Sequence, residues 1–214
     1  MKLNNVLIFG DSYSTFDGYI PKGYATYYSS LCREETDVRA VEDTWWYPLF
    51  KEPDSKLIQN NSWSGSTICY TGYNGGDCSE TSSFICRLKR LQDAGFFKEN
   101  EINTVFVFGG TNDSWANSPI GKLKYAEWEK ADLFSVLPAF CFFISEIKSA
   151  LPNADIVPII NTELKCEIEE GFKTACEHYG IKPVVLQSID KRCGHPTIKG
   201  MEQIKNQIID SLDL

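Results

Sequence analysis

Histidine is scarce in this sequence, with only His178 and His195 among 214 residues. This scarcity leaves few candidates for a general base, and it argues against zinc because the cysteines also lack ligand spacing. No apolar run approaches the roughly 20 residues that a membrane-spanning helix needs. We therefore expect no metal, no cofactor and no membrane partner.

Basic residues are also few, with 21 Lys and Arg against 29 Asp and Glu, which gives a net charge of −8. This balance argues against a general nucleic-acid binder, because neutralising phosphates needs a basic face. The N-terminus lacks the apolar stretch and cleavage site of a secretory signal, so we expect a cytoplasmic protein. A signal that had been removed would leave the same sequence. Eight cysteines occur without a C-x-x-C pair, and we expect reduced thiols, with a disulfide among Cys69, Cys78 and Cys86 as the alternative.

Short apolar runs alternate with segments of helical spacing along the whole chain. Five runs predict β-strands: Val6–Phe9, Lys56–Gln59, Thr104–Phe108, Asp155–Ile160 and Pro183–Leu186. Strands that alternate with helices are typical of a parallel sheet covered on both faces, which is a three-layer α/β/α sandwich. A length of 214 residues suits one such domain over residues 1–214.

Helical spacing predicts several helices, and two long segments fit neither a helix nor a strand. We expect a helix beginning near Thr44, another over 133–151 that Pro138 interrupts, and a final helix capped by Thr197. The segments near 13–43 and 68–83 are polar and rich in tyrosine or glycine. Loops of such length are usually functional or disordered. Both follow a strand, so we expect them at the C-terminal edge of the sheet.

Polar residues follow the predicted strands at four places. These are Gly10-Asp11-Ser12, the segment 60–67 with Ser64-Gly65, the segment 109–113 with Asn112, and the segment 188–196 with His195. Parallel strands present their C-terminal ends at one edge of a sheet, so the four segments can converge there. A serine hydroxyl is a nucleophile if a histidine base reaches it.

The same segments resemble the motif blocks of the SGNH (GDSL-like) hydrolase family, in that family's order. The matching residues are Gly10-Asp11-Ser12, Ser64-Gly65, Gly110-Thr111-Asn112-Asp113 and His195-Pro196. The resemblance runs from the first strand to the last helix. It implies a five-stranded parallel sheet in the order 2-1-3-4-5.

The resemblance also implies roles for individual residues. Ser12 would attack an acyl carbonyl, with His195 as general base and then general acid. The backbone N–H groups of Ser12 and Gly65 and the side-chain amide of Asn112 would form the oxyanion hole. An asparagine amide donates a hydrogen bond without adding charge, and losing one such donor costs about 10²–10³ in turnover.

One position departs from the family pattern. The usual acid lies three residues before the histidine, where this chain has Arg192. Asp190, five residues before His195, is our candidate for orienting the imidazole. Another acceptor, such as Glu163 or a backbone carbonyl, remains open, as does a Ser–His dyad.

The resemblance implies hydrolysis of a carboxylic ester, and the family includes esterases, lipases, thioesterases and carbohydrate deacetylases. Trp63 and Trp115 each lie within three residues of an oxyanion donor, so we expect them to wall the substrate pocket. An aromatic, polar rim favours a small acyl group on a polar body, such as an acylated sugar. The alternatives are a lipase or thioesterase of the same family, or a glycan-binding module without activity. The oligomeric state stays open.

Overall fold

The structure is a computed structural model that describes residues 3–51 and 53–214. Its main sheet has five parallel strands in the order β2-β1-β3-β4-β5. The strands are β1 (Val6–Gly10), β2 (Leu57–Ser62), β3 (Thr104–Phe108), β4 (Asp155–Ile160) and β5 (Val184–Val185). The predicted parallel sheet and its strand order are confirmed.

Helices cover both faces of this sheet. They are α1 (Phe84–Asp93), α2 (Phe96–Glu99), α3 (Thr111–Trp115), α4 (Val136–Ala150), α5 (Cys166–His178) and α6 (Ile198–Leu212). Successive strand residues point to opposite faces, so Leu7 and Phe9 pack with α1, α4 and α5. Val6 and Ile8 pack on the other side with α6. Within the described ranges, none of these helices is long and apolar enough to cross a membrane.

The strand ends lie level with one another at the C-terminal edge of the sheet. Gly10, the last residue of β1, pairs with Ser62 of β2 and with Phe108 of β3. β2 extends three polar residues beyond the predicted Lys56–Gln59 run, and these residues are buried. A hydrogen bond to a distant part of the chain offsets the burial of Asn60, whose side-chain amide donates to the Ser14 carbonyl at 2.7 Å.

Two helix predictions were wrong in detail. In place of a helix beginning near Thr44, the chain forms 3₁₀ turns at Val41–Asp43 and Tyr47–Phe50. The Thr44 hydroxyl donates to the Val41 carbonyl and accepts from the Tyr47 N–H, and such local bonds compete with helix formation. Pro138 does not interrupt α4, because it lies in the first turn, where its missing N–H removes no intrahelical bond.

A small antiparallel hairpin that the sequence did not predict lies between β5 and α6. Its strands are β6 (Lys191–Arg192) and β7 (His195–Pro196), joined by Cys193 and Gly194. Both turn residues have positive φ, 49° and 78°, as in a two-residue type I′ turn. The Tyr13 hydroxyl donates to the Gly194 carbonyl at 2.5 Å and fixes the hairpin to the end of β1.

Candidate active site

Ser12 and His195 are in hydrogen-bonding contact, although 183 positions separate them in the sequence. The Ser12 Oγ lies 3.0 Å from the His195 Nε2. Ser12 begins a 3₁₀ turn directly after β1, and the Asp11 carboxylate caps this turn by accepting the Tyr13 N–H at 3.0 Å. Ser12 is 3% exposed. The end of β1 and the hairpin thus bring the two predicted residues together.

The imidazole of His195 is held by a backbone carbonyl on its other side. Its Nδ1 lies 3.2 Å from the carbonyl oxygen of Cys193. A carbonyl can only accept, so Nδ1 carries the hydrogen and Nε2 presents its lone pair to Ser12. Burial lowers the pKa of His195 below its ordinary value, and the positive charges of Arg33 and Lys191 act in the same direction. The neutral imidazole can therefore accept a proton near pH 7.

The structure does not bring Asp190 to the imidazole. Its carboxylate accepts a hydrogen bond from the Thr197 hydroxyl, and that hydroxyl in turn accepts the Gly200 N–H and caps α6. Glu163, the other candidate, pairs with Lys191 at 3.1 Å. The physical reason is the hairpin, whose tight turn carries the Cys193 carbonyl back to Nδ1.

The predicted oxyanion donors lie on two further strand-end segments. Gly65 has φ +80° in a turn closed by the Ser66 N–H and the Trp63 carbonyl at 3.2 Å. Such a φ favours glycine. Asn112 is the second residue of the short helix α3, and its Nδ2 donates to the Ser66 carbonyl at 3.0 Å. Among the backbone hydrogen bonds of turns, loops and caps within residues 3–51 and 53–214, none uses the N–H of Ser12 or Gly65 as donor.

Two buried carboxylates flank these donors. The Asp113 side chain accepts the Ile68 N–H at 2.9 Å and the Cys69 N–H at 3.1 Å, which ties α3 to the segment after Gly65. Burial raises the pKa of Asp113 to about 6 and that of Asp11 to about 7. Neither carboxylate contacts the imidazole, so both support the turns around the site.

A buried arginine that the sequence analysis missed joins the first two strand-end segments. The Arg87 guanidinium donates to the Gly10 carbonyl and to the Ser66 hydroxyl, each at 3.1 Å. Burial lowers its pKa to about 9. The sequence does contain a signal for the burial of Arg87, because helical spacing puts it on the apolar face of α1 with Phe84 and Leu88.

Aromatic side chains surround the Ser–His pair. Tyr27 stacks on the imidazole, with ring centroids 3.6 Å apart and an interplanar angle of 6°. Trp115 is 41% exposed and turns its edge to His195 at 5.7 Å. Trp63 packs against Tyr24 at 4.3 Å, two residues before Gly65. Trp115 therefore lies at the pair itself, and Trp63 lies on the Gly65 side.

The sheet carries a serine and a histidine in contact at its C-terminal edge. The chain is a hydrolase that acts on esters. It belongs to the GDSL-like lipase/acylhydrolase family, whose model matches residues 4–212. The resemblance to the SGNH (GDSL-like) hydrolases is thus confirmed over nearly the whole chain.

Several solved structures are similar to this chain. A candidate GDSL-like lipase from Bacteroides ovatus is 41% identical, with 98% of each chain covered and a TM-score of 0.88. A second candidate, from Bacteroides uniformis, is 42% identical over 98% of this chain and 96% of its own, with a TM-score of 0.89. A family two carbohydrate esterase from Clostridium thermocellum, solved with cellohexaose, is 15% identical over 100% of this chain and 65% of its own. Its TM-score is 0.61, so it shares the fold alone. No protein of curated function matches the chain.

Proposed function

We propose that this protein is an esterase that removes a small acyl group from an acylated carbohydrate, with Ser12 as nucleophile and His195 as general base. The observation that carries the proposal is the 3.0 Å contact between the Ser12 Oγ and the His195 Nε2. That distance lies within the reach that proton transfer between a nucleophile and its base requires.

The reaction follows from this contact. As the Ser12 Oγ attacks the acyl carbon, its proton passes to the His195 Nε2 and the carbonyl double bond opens to an oxyanion. Collapse of the tetrahedral intermediate breaks the bond to the alcohol, which leaves with the proton from Nε2. Water then attacks the acyl-enzyme, again with His195 as base, and releases the acid and the free serine.

The developing oxyanion receives hydrogen bonds from the backbone N–H groups of Ser12 and Gly65 and from the Asn112 amide. Neither backbone N–H is the donor in a backbone hydrogen bond of the turns, loops and caps among the described residues, and Asn112 has one amide hydrogen beyond that donated to Ser66. Donors of this kind, held in place before the reaction, supply a large share of the rate of acyl transfer.

The rim of the site supports an acylated carbohydrate as the substrate class. Its exposed or half-exposed side chains include Trp115, Tyr73, Tyr27 and Trp63. Such rings offer an apolar face together with an N–H or O–H group, which suits a sugar ring better than a long acyl chain. The likeness to carbohydrate esterases is one of fold and does not carry the substrate class.

The test compares wild type with Ser12→Ala on p-nitrophenyl acetate, butyrate and octanoate and on acetylated mono- and oligosaccharides. Acetate release and nitrophenolate release are the readouts. Ser30→Ala, which changes an exposed serine in the segment between β1 and β2, is the matched control. We expect Ser12→Ala to lose on the order of 10⁴- to 10⁶-fold in kcat and the control to retain wild-type activity.

The outcomes separate the alternatives. Equal activity in wild type and Ser12→Ala would end the proposal of a serine nucleophile. A preference for octanoate over every acetylated sugar would favour a lipase. Binding of the sugars by the wild type without turnover of any ester would favour a glycan-binding module.

A further inference from the structure

Tyr73, at the tip of the segment 68–83, contacts the Asn112 side chain that the oxyanion hole requires. Its hydroxyl donates to the Asn112 Oδ1 at 2.8 Å. The ring of Tyr73 is 44% exposed, whereas Asn112 is almost fully buried. Burial raises the pKa of the Tyr73 phenol above its ordinary value of 10.0, so the hydroxyl keeps its proton and donates at any working pH.

The hydrogen-bond capacity of the Asn112 amide shows what this contact does. The amide nitrogen has two hydrogens, and one of them goes to the Ser66 carbonyl at 3.0 Å. The amide oxygen accepts the Tyr73 hydroxyl. Rotation by 180° would set Oδ1 against the Ser66 carbonyl oxygen, where two acceptors repel, and would turn the Tyr73 hydroxyl from donor to acceptor. The remaining N–H is therefore held in one orientation.

The backbone that carries Tyr73 is itself well anchored. Tyr73 begins a 3₁₀ turn, and the Gly72 N–H donates to the Gly76 carbonyl at 2.8 Å across the base of that turn. One step further back, the Thr71 hydroxyl donates to the Phe134 carbonyl at 2.7 Å, and the Ser118 hydroxyl donates to the Thr71 carbonyl at 2.8 Å. The phenol thus approaches Asn112 from a fixed support.

From these contacts we infer that Tyr73 is a positioning residue for the oxyanion hole, which orients the Asn112 amide so that its free N–H meets the developing oxyanion. The inference rests on the proposed function. A hydroxyl that donates to the amide oxygen also polarises the amide, and this strengthens the N–H as a donor. Tyr73 acts through Asn112 and makes no bond to the reacting atoms.

The test is a double-mutant cycle of Tyr73→Phe and Asn112→Ala, measured in two ways. One readout is kcat and KM on p-nitrophenyl acetate. The other is the rate of inactivation by diethyl 4-nitrophenyl phosphate, in which the Ser12 Oγ forms a bond to phosphorus, nitrophenolate leaves and His195 takes the serine proton. That reaction needs the oxyanion hole but no natural ester, so a wrong substrate proposal would leave it intact.

Tyr19→Phe is the matched control, because Tyr19 is also 44% exposed but packs on Trp46 and Tyr47. We expect Tyr73→Phe to lower kcat and the inactivation rate about 2- to 10-fold with little change in KM, as fits the loss of one hydrogen bond. Asn112→Ala should lower both rates about 10²- to 10³-fold. The double variant should be no slower than Asn112→Ala, because Tyr73 then has no amide to orient.

Two results would overturn the inference. One is a Tyr73→Phe protein that matches wild type and Tyr19→Phe in both readouts. The other is a double variant slower than Asn112→Ala by the full Tyr73→Phe factor, which would make Tyr73 independent of Asn112. If Asn112→Ala does not fold, the comparison of Tyr73→Phe with Tyr19→Phe decides. Failure of Ser12→Ala to block phosphorylation would instead refute the proposed function.

Discussion

Replacement of Asp190 tests how His195 is oriented. If the Asp190 carboxylate orients the imidazole, its conversion to the amide should lower kcat by about 10⁴-fold, as in a Ser–His–Asp triad. In the structure this carboxylate bonds to the Thr197 hydroxyl, and the Cys193 carbonyl lies 3.2 Å from Nδ1. We therefore expect Asp190→Asn to change kcat/KM on p-nitrophenyl acetate by less than about threefold, since no interaction of the imidazole is lost.

Removal of the Asp190 side chain has a small expected effect on stability. Asp190→Ala removes one partly buried hydrogen bond from the hydroxyl that caps α6, which is worth about 0.5–1.5 kcal/mol. For a protein of this size that loss lowers Tm by about 1–6 °C, and Asp190→Asn should lower it less because an amide oxygen still accepts. Glu163→Gln is the matched control. His195→Ala shows how far kcat falls when the imidazole is absent. A thousandfold loss of kcat in folded Asp190→Asn would refute the reasoning.

Three further predictions concern His195, Asp11 and Gly194. Because burial lowers the pKa of His195, the acidic limb of kcat/KM should have its midpoint below pH 6.5, and a midpoint above 7 would contradict this cause. Burial raises the pKa of Asp11 to about 7, so its contribution to stability is lost as pH rises from about 4 through 7. Between pH 5 and pH 8, Tm should then fall less in Asp11→Asn than in wild type. An equal decrease of Tm in both proteins would contradict a raised pKa of Asp11. Gly194→Ala places a Cβ 3.0 Å from the Trp115 ring at φ +78° and should lower kcat about 10- to 100-fold. Gly18→Ala, at φ +81° with no atom within 4 Å, should cost similar stability of about 1–2 kcal/mol and leave kcat unchanged.

The parallel sheet could be predicted because each strand is encoded by a short continuous stretch of sequence. Each buried strand is a short apolar run, and turn residues separate it from the next helix, as around Thr104–Phe108. The short segments were harder, because backbone contacts decide them. The Thr44 hydroxyl bonds to a nearby backbone group, and this competes with helix formation there. The length of β5, two residues, is decided by its pairing with β4.

In the candidate site, too, some residues could be predicted from the sequence and others could not. Ser12, Gly65, Asn112 and His195 follow strands or precede a helix, so topology alone predicts that they share one edge. The acceptor for His195 could not be found by reading side chains, because it is a main-chain oxygen placed by a turn. Tyr73 carries no local signal either, since its partner lies 39 positions away in the sequence.

A neutral acceptor behind His195 has a consequence that an aspartate would not have. A carboxylate stabilises the imidazolium by charge as well as by a hydrogen bond, whereas the Cys193 carbonyl supplies the hydrogen bond alone. The imidazole is then a weaker base than in a triad, in keeping with its lowered pKa. Its orientation must depend more on packing, and Tyr27 supplies this by stacking on one ring face at 3.6 Å. Arg33 lies 4.8 Å over the same tyrosine ring and donates to the Tyr27 carbonyl, so the stack is held at its outer side too. The hairpin sets the tautomer and the aromatic stack restrains the ring plane. Together they meet the geometric part of the role of an aspartate without a carboxylate beside the imidazole.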